Sequence, residues 1–263
     1  MKVASDAIKL MSKKVDLILN VVDARGPLIS SNSELLTLLP NKPIVKLALK
    51  SDLSDLNFLD YENKIIFANK YQNNLRALIL NELKKQMQEK TFKLKAKGLL
   101  LPNYNVAIIG LPNVGKSTII NILLKKNRVK TENRPGVTKS ISLIKLNEMF
   151  NLIDTPGVLF KKINNFEIGA KLTLMGIIKN NVVPLNEILF WSFEYLKKHY
   201  YDLLQNYLIS FTNKMKFEEF LMELAKKRNF VLNKQKLNLE KSLETFFNDL
   251  INGNLGKVSY EKD

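Results

Sequence analysis

Gly110-Leu111-Pro112-Asn113-Val114-Gly115-Lys116-Ser117 has the spacing Gly-x-x-x-x-Gly-Lys-Ser of a phosphate-binding loop. The apolar run before it, residues 104–109, predicts a strand, and the run after it, residues 118–124, predicts a helix. In that context backbone N–H groups surround a phosphate, the Lys116 ammonium reaches the β- and γ-phosphates, and the Ser117 hydroxyl binds Mg²⁺. The predicted nucleotide contacts are Asn113, Val114, Gly115, Lys116, Ser117 and Thr118.

Two later segments have the composition of nucleotide-sensing switches. Asp154-Thr155-Pro156-Gly157 ends a predicted strand 37 residues after Ser117, so that Asp154 can hold Mg²⁺ through water and the Gly157 N–H can sense the γ-phosphate. The second segment lies between Ser117 and Asp154 and has the sequence Arg134-Pro135-Gly136-Val137-Thr138. Its Thr138 can close over Mg²⁺ and the γ-phosphate. The predicted metal ligands are therefore Ser117, Thr138 and Asp154, and the predicted catalytic groups are Lys116, Thr138 and Gly157. The alternative for residues 154–157 is a simple turn, and the alternative for residues 134–138 is a surface loop.

A guanine-reading segment is expected upstream of the phosphate-binding loop. Leu49-Lys50-Ser51-Asp52 follows an apolar run, so that Asp52 can bind the N1 and N2 edge of guanine and Lys50 can pack over the base and ribose. Asn69, in Phe67-Ala68-Asn69-Lys70, closes the next predicted strand, where a second base contact is expected. A base reader that precedes the phosphate-binding loop and the switches indicates a circularly permuted chain order.

The periodicity of the chain predicts two domains. Short β-rich runs alternate with helical stretches in residues 1–160, which predicts an α/β domain with a largely parallel sheet, closed at one edge by a hairpin of residues 141–146 and 150–153. Helical spacing dominates residues 161–263 and predicts a small all-α domain with a helix stop at Gly253. The apolar positions expected to form its core are Ile168, Leu172, Met175, Ile178, Phe217, Phe220, Leu221, Leu224, Leu239, Leu243, Phe246, Phe247 and Leu250.

Composition excludes several classes of protein. The 263 residues include no cysteine and one histidine, His199, which excludes disulfides, thiol nucleophiles and a histidine metal cluster. No apolar run is long enough to span a membrane. The net charge of +16 favours a polyanionic partner such as RNA, although abundant lysine and asparagine are also what an AT-rich genome produces.

The sequence resembles the YlqF/RbgA family of circularly permuted GTPases that act in assembly of the large ribosomal subunit. Val21-Val22-Asp23-Ala24-Arg25-Gly26-Pro27 is similar to the family's Asp-Ala-Arg-x-Pro, residues 110–117 to its phosphate-binding loop, and residues 154–157 to its second switch. Residues 220–228 and 253–257 resemble closing helices thought to bind RNA. The resemblance implies a circularly permuted Ras-like P-loop GTPase domain followed by an all-α domain, and a cytoplasmic, monomeric GTPase whose partners are the large ribosomal subunit and rRNA.

The chain departs from the family pattern at three places. Leu49 occupies the position of the family's guanine-reading asparagine, which removes contacts to the O6/N7 edge of the base. Val158 stands where Ras-like enzymes place a water-orienting glutamine, as is usual in this family. Alignment on Asp23 places the histidine of the family's N-terminal Trp-Phe-Pro-Gly-His-Met upstream of Met1. We therefore expect slow intrinsic hydrolysis that the ribosomal particle stimulates, with K⁺ held at Asn113 as a second source of positive charge; the alternative for Asn113 is a turn residue.

Two other functions are compatible with these residues. Leu49 and the missing N-terminal motif would suit an RNA-binding protein with a degenerate, non-catalytic nucleotide site, whereas Lys116, Ser117, Thr138 and Asp154 favour a GTPase. An ATPase is disfavoured by Asp52, because its carboxylate suits the paired donors of guanine and does not suit adenine.

Overall fold

The computed structural model describes residues 12–58, 65–125, 143–153, 163, 165–179, 184–232 and 236–262. The chain forms two compact units. The first consists of Met1–Asp52 and Leu59–Lys161, and the second of Leu53–Phe58 and Lys162–Asp263. Within the described residues, no helix has the length and apolar character needed to cross a membrane.

The first unit is built on a six-stranded sheet with the strand order β3-β2-β1-β4-β6-β5. Neighbouring strands are parallel except for β5, which pairs antiparallel with β6 at one edge. The predicted parallel sheet and edge hairpin are therefore confirmed. The strands are β1 Leu17–Asp23, β2 Ile44–Leu49, β3 Ile65–Phe67, β4 Tyr104–Ile109, β5 Leu143–Lys145 and β6 Phe150–Ile153.

Burial of the central strands explains why their sequences are apolar runs and not alternating patterns. Every residue of β1 is buried, as a strand in the middle of a parallel sheet must be when both its faces are covered. Asp23 of β1 pairs with Leu49 of β2, and Asn20 of β1 pairs with Ile109 of β4. The carboxyl ends of β1, β2 and β4 consequently lie at the same edge of the sheet, and the loops that follow them form the candidate site.

Three helices accompany the sheet among the described residues of this unit: α1 Ser33–Thr37, α2 Leu75–Ala96 and α3 Lys116–Leu124. Helix α2 buries Leu75, Ile79, Leu80, Leu83 and Met87, which recur at helical spacing and form its core-facing stripe. The Arg76 Nε donates to the carbonyl oxygen of Leu123 at 2.9 Å, and this bond joins α2 to the end of α3.

The second unit is helical, with α4 Phe166–Leu174, α5 Leu185–His199, α6 Tyr201–Tyr207, α7 Phe217–Lys227 and α8 Leu239–Asn252. Its core is aromatic: Phe193, Phe211, Phe220 and Phe246 are buried, and Phe220 contacts each of the other three rings. Helix α8 ends at Gly253, whose φ of +75° provides the expected stop.

The prediction that Ile168 belongs to the core of the helical unit is wrong. Ile168 has 43% of its surface exposed, although Leu172 and Met175 of the same stripe are buried. Ile168 lies in the first turn of α4, where its backbone N–H donates to the side chain of the N-cap residue Asn165. A stripe of apolar residues identifies a helix but does not fix the turn at which burial starts.

Leu53–Phe58 belongs to the helical unit although it follows the predicted base reader directly. The Val258 N–H donates to the carbonyl oxygen of Leu53 at 3.1 Å, and Lys262 pairs with Asp55 at 3.2 Å. A Cβ on Gly253 would lie 2.7 Å from the Cδ2 of Leu53, so this leucine packs closely against the end of α8. The end of the chain therefore holds a segment about 200 residues earlier in the sequence.

Candidate nucleotide site

The phosphate-binding loop joins β4 to α3 and has a backbone that requires glycine at two positions. Gly110 has φ +155°, and a Cβ there would lie 2.3 Å from the carbonyl oxygen of Val21. Gly115 has φ +108° and immediately precedes the first helical residue, Lys116. Asn113 also has a positive φ, +59°, a conformation that asparagine tolerates better than most residues. The fold thus provides the tight strand-to-helix turn that the sequence motif predicts.

Lys116 lies over this loop. Its Nζ donates to the carbonyl oxygens of Gly110 and Leu111, at 2.9 Å and 2.6 Å. Burial lowers the pKa of Lys116 from its usual 10.5, because a partly desolvated ammonium is less stable than one in water. An anionic phosphate near this ammonium would oppose that effect, so the geometry suits a cation that gains its ionic partner when a nucleotide binds.

The first turn of α3 presents the other predicted phosphate and metal contacts. Ser117 is exposed and Thr118 is half-buried, whereas Val114 is fully buried and anchors the loop. An exposed hydroxyl at a helix N-terminus beside Lys116 fits a hard cation such as Mg²⁺, which prefers oxygen ligands. The donor set observed here is therefore compatible with a magnesium nucleotide.

The predicted base reader follows β2 at the same sheet edge. Lys50 has φ +62°, and Asp52 is exposed in the 3-10 turn Ser51–Leu53 that comes next. The Ser51 N–H donates to the carbonyl oxygen of Ala68 at 3.2 Å, which joins this loop to the one that follows β3. The Asn69 Oδ1 in that loop accepts the Tyr71 N–H at 2.9 Å. The structure therefore brings Lys50, Asp52 and Asn69 onto two adjacent loops.

The Leu49 side chain, at the start of the base-reading loop, packs against the phosphate-binding loop. Its side chain is 4% exposed, and a Cβ on Gly115 would lie 2.6 Å from its Cδ1. The residue that departs from the family's asparagine therefore packs on a phosphate-loop glycine, and its methyl groups offer no hydrogen bond to a base.

A buried ionic cluster supports the base-reading loop. The Asp23 carboxylate, at the end of β1, accepts hydrogen bonds from the Arg25 backbone N–H, Nε and Nη2 at 3.1, 3.0 and 2.9 Å. It also pairs with the Lys50 Nζ at 2.8 Å. Burial alone would raise the pKa of Asp23, but the Arg25 and Lys50 charges and hydrogen bonds outweigh burial and lower it.

The sequence identifies Asp23 and Arg25 only as part of a family motif, and the contact of Asp23 with Lys50 was not predicted. The signal was present, because Asp23 and Lys50 each stand at the carboxyl end of an apolar run, and such ends meet at one edge of a parallel sheet. Thr138, Asp154 and Gly157 lie outside the described residues. His199 is half-buried at the end of α5 in the helical unit, with its ring 4.7 Å from that of Tyr195.

The order of strands and loops defines the class of the protein. The phosphate-binding loop follows β4 in the middle of the sheet, and the base-reading loop follows β2 two strands away, although β2 precedes β4 in the chain. This arrangement is that of a P-loop GTPase whose chain order is circularly permuted.

Comparison with known proteins extends this assignment from the class to the family. A family model described as 50S ribosome-binding GTPase matches residues 105–234. A probable ribosome biogenesis GTPase A from Mycoplasma genitalium is 42% identical over 262 residues, which cover 99% of this chain and 94% of that protein. The ribosome biogenesis GTPase A of Bacillus licheniformis is 31% identical, over 95% of this chain and 91% of its own length.

Two solved structures of YlqF are also similar to this chain. A GNP-bound YlqF from T. maritima matches 98% of this chain and 97% of its own, with 25% identity and a TM-score of 0.63. A GDP-bound YlqF matches with 26% identity and a TM-score of 0.66. The chain belongs to the ribosome biogenesis GTPase A family.

Proposed function

We propose that this protein binds GTP, hydrolyses it to GDP and phosphate, and uses that cycle to time a step in the assembly of the large ribosomal subunit. The observation that supports the proposal most directly is the position of the two predicted nucleotide loops. The loops after β2 and β4 lie at one sheet edge, and Leu49 at the end of β2 packs on Gly115, so that Asp52 and Lys116 follow neighbouring, contacting segments of the first unit.

Each site residue has a role in this proposal. Asp52 accepts the N1 and N2 donors of guanine, Lys50 covers the base and ribose, and Asn69 lies on the neighbouring base-contacting loop. Lys116 offsets negative charge on the β- and γ-phosphates, and the backbone N–H groups of the loop surround them.

Hydrolysis needs charge stabilisation and an ordered water. Ser117, Thr138 and Asp154 would hold Mg²⁺, which supplies positive charge to the phosphates when it is bound. Thr138 and the Gly157 N–H would sense the γ-phosphate, and Asn113 would hold K⁺. No glutamine follows Gly157, so we expect hydrolysis by the isolated protein to be slow and to accelerate on the ribosomal particle.

The partner is proposed from the relatives' names and from charge. The relatives are named for ribosome biogenesis, and a net charge of +16 favours binding to rRNA. Residues 1–160 would form the GTPase domain and residues 161–263 the RNA-binding helical domain. The proposal describes a monomer in the cytoplasm, a reducing compartment with which the cysteine-free sequence is compatible.

A second candidate is an RNA-binding protein whose nucleotide site no longer works. Leu49 is the observation in its favour, because a leucine cannot donate a hydrogen bond to guanine. The Lys116 ammonium and the exposed Ser117 hydroxyl argue for an active site, since neither is required by a protein that only binds RNA.

The decisive experiment measures binding and turnover on the same samples. Affinities for GTP, GDP and ATP are determined first, and phosphate release is then followed with and without large ribosomal subunits in KCl or NaCl. The Lys116→Ala variant is the test of the site, and Lys125→Ala, at the other end of α3, is its control for the loss of one charge. GTP-selective binding that Lys116→Ala alone abolishes, with release stimulated by subunits, supports the proposal; RNA binding without nucleotide binding would favour the second candidate.

A further inference from the structure

One face of α2 carries an aromatic ring and two lysines. Neither lysine has an ionic partner among the described residues. Lys84, Gln88, Phe92 and Lys95 follow one another at spacings of four, four and three residues, which align them along one side of a helix. All four are exposed, and Phe92 has 72% of its surface in solvent. From Lys84 to Lys95 this face, which we call the Lys-Phe face, extends over about 16 Å at 1.5 Å per residue.

The helix does not need this end for core packing. Its last buried residue is Met87, and the two turns that follow contain none. Their other side is tied to the sheet, because the Lys90 Nζ pairs with Asp16 at 2.7 Å and the Thr91 hydroxyl lies 3.0 Å from that of Tyr104. The end of α2 is therefore held in place by one side while Phe92 stays in solvent.

Acidic residues of this helical segment lie off the Lys-Phe face and are neutralised. Glu82 pairs with Lys85 at 3.3 Å, and Glu89 pairs with Lys93 at 2.5 Å. Both glutamates project from the flank of the helix that is turned away from Lys84 and Lys95. Neither lysine of the face thus has a carboxylate of α2 three or four residues away, and Glu89, which is three residues before Phe92, is paired with Lys93.

We propose that the Lys-Phe face binds an unpaired segment of RNA. Lys84 and Lys95 contact phosphates on either side of a short unpaired segment. Phe92 stacks on a base of that segment, and Gln88 hydrogen-bonds a base edge. Exposed lysines interleaved with an aromatic ring are the combination that binds single-stranded nucleic acid, because the ring stacks on any base while cations follow the backbone. The inference rests on the proposed function for its partner and adds the surface that receives it.

The apolar segment after α2 supports a different prediction. Leu99, Leu100 and Leu101 are 53%, 97% and 46% exposed, but they lie beyond Gly98 and are not on the helix face. A lipid or protein partner would use these leucines, whereas an RNA partner would use the lysines and Phe92. Substitution of Leu100 therefore separates the two predictions.

The test measures the affinity of the full chain for deproteinised large-subunit rRNA across a salt series. We expect Phe92→Ala to weaken binding roughly 5- to 150-fold, the range for one stacked base. Lys84→Ala/Lys95→Ala should reduce the slope of log K against log salt by about 1.4, at about 0.7 for each phosphate contact. The control Lys85→Ala/Lys93→Ala removes two charges from the same helix but from lysines paired with glutamates, and should leave the slope nearly unchanged.

Further measurements distinguish the possible failures. Equal losses in the test and control pairs would reduce the face to nonspecific charge and overturn the proposal. It is also overturned if Leu100→Ser weakens RNA binding as much as Phe92→Ala, or if Phe92→Ala reduces binding to vesicles of anionic lipid and not binding to rRNA. GDP affinity, measured on every variant, should not change; a wild-type protein that binds rRNA through this face but binds no GDP or GTP would refute the proposed function and leave the face intact.

Discussion

The Lys50 Nζ lies 2.8 Å from the Oδ2 of Asp23, at the carboxyl ends of two neighbouring parallel strands. The carboxylate is fully buried and shared with Arg25, so its position is fixed by the sheet and not by solvent. Lys50 is the residue proposed to cover the nucleobase. We therefore expect Asp23 to act on the nucleotide indirectly, through the Lys50 side chain that it holds.

A double-mutant cycle tests this relationship. We expect Asp23→Asn and Lys50→Met each to weaken GDP binding about tenfold, and the double variant to bind no more weakly than either single variant, because a pair in one network is coupled by roughly 0.5–3 kcal/mol. Fluorescence titration with labelled GDP measures the affinities, and thermal melting checks that each variant is folded. Additive losses would show that Asp23 acts independently of Lys50.

The same carboxylate makes stability depend on pH. Its pKa is lower in the folded protein than the usual 3.8, so its contribution to the free energy of unfolding is present above pH 3.8 and is lost as pH falls through the lowered value. Asp23→Asn has no such carboxylate. The difference in unfolding free energy between wild type and Asp23→Asn should therefore be steady between about pH 5 and 7 and should shrink below pH 3.8. Urea unfolding at several pH values measures it, and a difference that does not shrink in acid would contradict the assignment.

Gly115 and Gly98 form a matched pair for testing the phosphate-binding loop. Both have positive φ, +108° and +65°, but a Cβ on Gly115 would strike Leu49, whereas one on Gly98 meets no atom within 4 Å. Gly98→Ala should cost roughly 1–2 kcal/mol of stability from backbone strain and leave nucleotide binding intact. Gly115→Ala should displace the loop or Leu49 and weaken GDP binding by more than about tenfold, equivalent to 1.4 kcal/mol. Equal nucleotide affinities in the two variants would be evidence against a phosphate site here.

Asp52 should set selectivity for guanine. The Asp52→Asn amide can accept only one of the two guanine donors, so we expect GTP affinity to fall by roughly 2–3 kcal/mol, about 30- to 150-fold. Xanthosine triphosphate, whose C2 carbonyl can accept an N–H, should bind better than it does to wild type. Asp55→Asn is the control, because Asp55 pairs with Lys262 in the helical unit. Competition titrations with GTP, ATP and xanthosine triphosphate provide the measurement, and unchanged preferences in Asp52→Asn would exclude Asp52 as the reader.

Local sequence patterns were sufficient to predict much of the sheet and the phosphate-binding loop. The strands β1, β2 and β4 are mostly apolar runs of six or seven residues, and the loop from Gly110 to Ser117 has the spacing of a phosphate-binding motif between a strand and a helix. The exposed Ile168 could not be foreseen, because periodicity does not reveal where neighbouring elements end. The contact of Lys50 with Asp23 depends on strand register, and that of Leu53 with Val258 joins residues about 200 positions apart without any motif in either.

Leu53–Phe58 makes the chain pass between the two units three times, after Asp52, after Phe58 and after Lys161. A fragment that stops at residue 161 would keep these six residues but lose Val258, Lys262 and the end of α8, which hold them. Leu53 would then be left without its packing one peptide bond from the proposed guanine contact at Asp52. Excision of an autonomous nucleotide-binding domain therefore requires two operations, truncation after residue 161 and replacement of residues 53–58 by a polar linker.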